Sequence, residues 1–132
     1  MAHIVHFQTA KFDPSRETPN PINPIAGESV LAWLRERINA ARYETTQPDA
    51  EDWGWYMRVK GLDAAYLVGA SGEMTDPGEL VDWTVQVHRH RSLIDRLMGR
   101  NKMTADDPLF ALIENSLRGD NSCDAIDIEK DA

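Results

Sequence analysis

The sequence WGWYMRVK occupies residues 53–60 and alternates large apolar side chains with polar or small ones. Trp53, Trp55, Met57 and Val59 share one side of this segment if it is extended, because successive side chains of a strand point to opposite faces. This alternation is typical of a strand with one buried face and one polar face. It therefore predicts a sheet that helices cover on one side only.

Three further segments predict strands of the same sheet. Residues 3–12 and 80–90 alternate in the same way, and residues 64–70 form an apolar run after a short turn. Short turns between consecutive strands force antiparallel pairing. The uncovered face of these strands is predicted to carry His6, Gln8, Tyr56, Arg58, Lys60, Thr84, Gln86, His88 and His90.

Three segments have the spacing of helices. Apolar residues recur at helical intervals in residues 25–43 and again in residues 104–119. A shorter helix is predicted for residues 92–99, because Ser92 and Asp95 have the spacing of a capping box. The chain thus predicts an α+β fold in the order β-α-β-β-β-α-α, a two-layer sandwich with a mostly antiparallel four-stranded sheet and helices on one face.

The chain is predicted to be organised as one domain with a tail. A length of 132 residues suits a single domain, which we place at residues 1–119. Residues 13–25 contain four prolines and predict an extended connection. Residues 120–132 contain five acids and few apolar groups, which predicts a disordered acidic tail.

Charge and cysteine content restrict the classes of function. The formal net charge of −8 is unfavourable for general nucleic-acid binding and favours a basic protein partner. Cys123 is the single cysteine, so no intramolecular disulfide forms. The sequence contains neither an apolar run long enough for a membrane span nor the pattern of a signal peptide. We therefore expect a cytoplasmic protein that does not bind membranes.

The predicted polar face of the sheet is the place where a ligand is expected. Two imidazoles, His88 and His90, point the same way from one strand and suit a metal or a phosphate, with His6 and Asp82 as further ligands. A solvated polar face is the simpler interpretation, and no metal is predicted. The ligand-binding residues predicted on this face are Tyr56, Arg58, Gln86, His88, His90 and Arg91.

An anion site and a stacking platform are two other hypotheses. The first consists of Arg89, Arg91, Arg96 and Arg100 beside the helix that starts at Ser92, unless nearby acids neutralise them. The second would use Trp53, Trp55 and Trp83, although their shared parity favours burial in the core. The chain contains no catalytic motif of the hydrolase, metalloprotease or nucleotide-binding type. No catalytic residue and no cofactor are therefore predicted, and we favour a protein that is not an enzyme.

Three stretches, residues 20–27, 51–56 and 86–91, resemble small uncharacterised bacterial proteins, some of them similar to immunity proteins of toxin systems. The resemblance implies an α+β fold and an acidic inhibitor, and it transfers no catalytic residue. We therefore expect a non-enzymatic protein-binding module of this immunity-like kind. The alternative is a small-ligand or anion binder, or an enzyme, that uses the polar face. In a third hypothesis the same face joins two copies in a homodimer.

Overall fold

The computed structural model describes residues 2–73, 76 and 78–130, which form three α-helices and one antiparallel sheet of eight strands. The elements in chain order are β1 (Ala2–Thr9), β2 (Ile25–Ala26), α1 (Glu28–Ala40), β3 (Glu44–Thr45), β4 (Asp49–Glu51), β5 (Gly54–Lys60), β6 (Ala65–Glu73), β7 (Val81–Arg89), α2 (Leu93–Met98), α3 (Pro108–Arg118) and β8 (Asp124–Lys130). The strand order is β3-β5-β6-β7-β1-β8, with β2 paired to β6 and β4 paired to β5.

The mixed helix and strand composition is confirmed, but the predictions of a four-stranded sheet and of the order β-α-β-β-β-α-α are wrong. The four predicted strands correspond to β1, β5, β6 and β7. The prediction missed β2, β3 and β4, which have only two or three residues each. Strands this short are below the length at which alternation can be recognised.

The predicted disordered tail is the other correction, because residues 124–130 form β8 at one edge of the sheet. This strand pairs with β1, and Ile126 and Ile128 pack partly against the core. A bulge interrupts the pairing between His6 and Gln8, and Ala125 there has a φ of 52°. An edge strand can keep its acids in water, so an acidic composition does not exclude a strand. Asp131 and Ala132 lie outside the described residues.

One face of the sheet, together with α1 and α3, forms the hydrophobic core. Trp55 and Trp83 are buried there as predicted, at 4 % and 1 % exposure. The helices contribute Val30, Leu31, Leu34, Ile38, Leu109, Phe110, Ile113 and Leu117. The opposite face of the central strands carries exposed or half-buried polar side chains, among them Arg58, Gln86 and His88. We call it the uncovered face, and it holds the candidate site.

The helix starts are stabilised by carboxylates. Gly27 precedes α1 and has no capping side chain, so Glu17 accepts hydrogen bonds from the backbone amides of Gly27, Glu28 and Ser29 at 2.9–3.0 Å. The predicted capping box of α2, between Ser92 and Asp95, is confirmed. No helix in the described ranges is long and apolar enough to cross a membrane.

Candidate anion-binding cleft

A cleft of about 690 Å³ lies at one end of the uncovered sheet face. It is formed where β5 ends, β6 begins and β7 ends, with β3 beside them and Arg96 of α2 at its border. Antiparallel pairing places Arg58 opposite Leu67, and Leu67 opposite His88. Residues that are far apart in the sequence are thereby brought into one row across three strands.

Positive side chains outnumber acidic ones in the lining of this cleft, which we call the basic cleft. Its lining includes Arg58, Lys60, Arg89, Arg91 and Arg96. Glu44 is the one acid among the described lining residues, and it lies across from Lys60 on the neighbouring strand. The basic cleft is therefore a local positive region on a protein whose net charge is −8.

Two of these arginines are used to hold the structure together. Arg89 forms an ion pair with Asp107, with Nη1 and Oδ1 3.2 Å apart. Arg91 donates to the backbone carbonyls of Arg100 and Asp95, at 3.0 and 3.2 Å, and so tethers α2. These contacts use donors that an anion would otherwise contact.

The remaining cations are available to a ligand. Within the described part of the chain, the side chains of Arg58, Lys60 and Arg96 make no hydrogen bond and no ion pair, and only their backbone groups are engaged, such as the Arg58 amide, which donates to Thr46 Oγ1 at 2.9 Å. A guanidinium presents a planar fork of donors that matches carboxylate and phosphate oxygens. Arg58, Lys60 and Arg96 therefore form the part of the basic cleft that can bind an anion.

His88 does not add a positive charge to the cleft. Burial lowers the pKa of His88 below its ordinary value, so its imidazole is neutral at pH 7. Its Nε2 lies 3.2 Å from Gln86 Oε1. His90 also lines the cleft and is exposed, with its backbone amide donating to the Ala65 carbonyl at 2.7 Å.

The metal hypothesis receives no geometric support, because the proposed ligands do not converge. His6 contacts Thr84 at 3.1 Å and Glu129 at 3.5 Å, and Asp82 accepts from Gln8 at 2.6 Å. The residues with described positions contain no group of three His, Cys, Asp or Glu side chains placed to hold a metal.

A buried network connects the basic cleft to α3. Asp107 is fully buried, and its Oδ1 accepts from the Tyr66 hydroxyl at 2.9 Å as well as from Arg89. Its Oδ2 accepts from the backbone amides of Leu109 and Phe110 at 3.1 Å, which caps α3. Burial, and then the Asp107 carboxylate, raise the pKa of Tyr66 far above its ordinary value. Asp107 thus fixes Arg89 beneath the cleft.

Four of the six predicted ligand residues line the basic cleft: Arg58, His88, His90 and Arg91. The other two, Tyr56 and Gln86, lie in the next row of the sheet, on either side of Gly69. The structure therefore brings four of the predicted residues together at the basic cleft and places the other two in the neighbouring row, from which Gln86 contacts His88.

Trp53 lies over the row that contains Gly69, and its predicted burial beneath the helices is wrong. Its half-buried ring lies over Gly69 on the uncovered face, where a Cβ on residue 69 would overlap it. Trp53 precedes β5 in a turn, and Gly54 has a φ of 151°, so the parity of the strand does not extend to residue 53. A glycine inside a predicted strand was the available signal, since it marks close approach of another group.

Sequence reasoning also missed that β3 and the residue after it line one side of the basic cleft. Thr45 and Thr46 line the basic cleft beside Arg58, but their short strand had no recognisable pattern. Thr45 Oγ1 donates to Asn39 and accepts from Arg35, so it is already engaged. The described lining residues thus offer cationic donors to an anion.

Comparisons of the chain with known proteins found no match. No family model, no curated protein and no solved structure matches the chain. The resemblance to immunity proteins therefore stays a prediction.

Proposed function

We propose that this protein is a non-enzymatic binding module whose basic cleft receives an anionic group, a carboxylate or a phosphate. The observation that supports this function is the convergence of Arg58, Lys60 and Arg96, free of ion pairs among the described residues, on one concave surface. Hydrogen bonds to charged groups contribute about 1.5–3 kcal/mol each, so two or three such contacts support measurable binding.

Calorimetric titration with citrate and with pyrophosphate tests the cleft directly. We expect binding that weakens as salt is added, because exposed charges are screened. Arg58→Ala and Arg96→Ala should each weaken binding about tenfold or more, whereas Arg16→Ala should leave it unchanged. Arg16 is a matched control, because its side chain is 88 % exposed, it pairs with Asp13, and it does not line the cleft. Absence of binding by both anions, or an equal loss in the control, would count against the cleft as an anion site.

A second candidate function follows from the acidic edge of the sheet. β8 is an edge strand that exposes Asp124, Asp127 and Glu129 to solvent, which suits a basic protein partner of the immunity type. Binding to small cationic proteins should be lost in an Asp127→Asn, Glu129→Gln variant. The same loss in Glu36→Gln, an exposed acid of α1, would show that net charge alone is responsible.

A further inference from the structure

The end of the sheet that holds the basic cleft also carries most of the large exposed apolar side chains of the described residues. Leu93, Ile94, Leu97 and Met98 of α2 are 73, 62, 77 and 68 % exposed. Leu62, in the turn between β5 and β6, is fully exposed at the same end, where β7 also finishes. We call Leu93, Ile94, Leu97 and Met98 the α2 apolar face.

The α2 apolar face does not contribute to the core. No residue of α2 is buried, and its described contacts include its capping box, the Arg91 bond to the Asp95 carbonyl and the Asn101 bond to the Asp95 carboxylate. Contiguous exposed apolar surface of this kind, rimmed by polar groups, is typical of a protein interaction site. The fold therefore holds these side chains in water without a structural need for them there.

The charge around the α2 apolar face selects the partner. Residues 88–102 contain five Arg and Lys residues against one acid, Asp95, and that acid is bound to the capping box, to Asn101 and, at 3.9 Å, to Arg100. A second copy of the same helix would bring Arg96 and Arg100 against like charges, which is unfavourable. An acidic partner finds the opposite charge in Arg96, which lies on α2 and also lines the basic cleft.

We infer that the basic cleft and the α2 apolar face together dock a segment of a partner protein that combines carboxylates with apolar side chains. This inference rests on the proposed anion site, because it places the carboxylates of the segment near Arg58, Lys60 and Arg96. The apolar side chains cover Leu93 and Leu97. A concave cleft of about 690 Å³ accommodates protruding side chains of a protein, whereas a lipid bilayer presents a flat surface.

Selection of a displayed library of random twelve-residue peptides on the full-length protein identifies the chemistry of the partner. We expect the recovered peptides to be enriched in Asp and Glu together with Leu, Ile, Phe or Trp. Leu93→Ser and Leu97→Ser should each weaken their binding about tenfold or more, because a buried Leu is worth that much in an interface. Both residues are exposed in the free protein, so these variants are expected to fold.

Two measurements separate this inference from the proposed function. Citrate binding should be unchanged in Leu97→Ser and weakened in Arg58→Ala, whereas peptide binding should be weakened in both. Leu80→Ser is the control, since Leu80 is 60 % exposed and lies outside α2. If citrate binds but no acidic, apolar peptides are recovered, the anion site is supported and the docking inference is wrong. Leu97-dependent binding to phosphatidylserine vesicles but not to peptides would assign the surface to membranes and overturn it also.

Discussion

Replacement of Asp107 by Ala is the perturbation that most directly tests how the fold supports the basic cleft. The Asp107 carboxylate is completely buried and serves three groups: the Tyr66 hydroxyl, the Arg89 guanidinium, and the first amides of α3. Its removal leaves the guanidinium, whose side chain is only 16 % exposed, without its countercharge. The effect should therefore be much larger than that of an ordinary surface change.

The expected loss follows from the contacts. A helix N-cap contributes about 1 kcal/mol, and the removal of one partner of a buried ion pair costs about 3–5 kcal/mol. These contributions share one carboxylate and do not add in full. We therefore expect the free energy of unfolding to fall by about 3–5 kcal/mol in Asp107→Ala, and by less in a variant that also carries Arg89→Met, because no guanidinium is then left unpaired.

Urea unfolding followed by tryptophan fluorescence measures this change, and Asp106→Ala supplies the matched control. Asp106 is exposed and adjacent, so its replacement should alter the free energy of unfolding by about 0.5 kcal/mol or less. A loss of only about 1 kcal/mol in Asp107→Ala would refute the reasoning, because it would leave the cap as the sole contribution of this carboxylate.

Three further predictions concern the uncovered face and the thiol. Burial lowers the pKa of His88 in the folded state, so as pH falls below about 6.5 the unfolded chain is protonated at this residue before the folded chain, and the free energy of unfolding decreases. In urea unfolding, His88→Gln should lose the part of this decrease that His88 causes. Gly69→Ala should destabilise by about 1–3 kcal/mol, because its Cβ overlaps Trp53. Burial raises the pKa of Cys123, so its thiol should react slowly with a disulfide reagent until urea unfolds the protein.

Each of these predictions has a contradicting result. Equal loss of stability on acidification in wild type and His88→Gln would show that this imidazole is not the group concerned. Adding Trp53→Ala to Gly69→Ala should restore part of the lost stability. If it does not, the strain caused by the alanine does not come from overlap with Trp53. Immediate reaction of Cys123 in native buffer would show that its burial between α3 and β8 is not maintained.

The composition of the sheet could be predicted in part, because alternation is a local property. Residues 53–60 and 80–90 each contain enough alternating positions to indicate a strand and its buried side, and Trp55 and Trp83 are buried accordingly. The capping box of Ser92 and Asp95 is equally local. β3 and β8 could not be predicted, because a two-residue strand and an acidic edge strand form only where a neighbouring strand offers its backbone.

The candidate site was predictable only as a set of polar residues on one face. Local alternation indicated most of the side chains that share that face, because the two-residue period of a strand depends on the chain alone. Only the tertiary structure shows that Arg58 and Arg96 line one cleft. It also shows that Arg89 is paired with Asp107, and that Arg91 donates to backbone carbonyls. Finally, it places the Trp53 ring on the uncovered face. These outcomes depend on strand order and on contacts between distant segments, which no local pattern encodes.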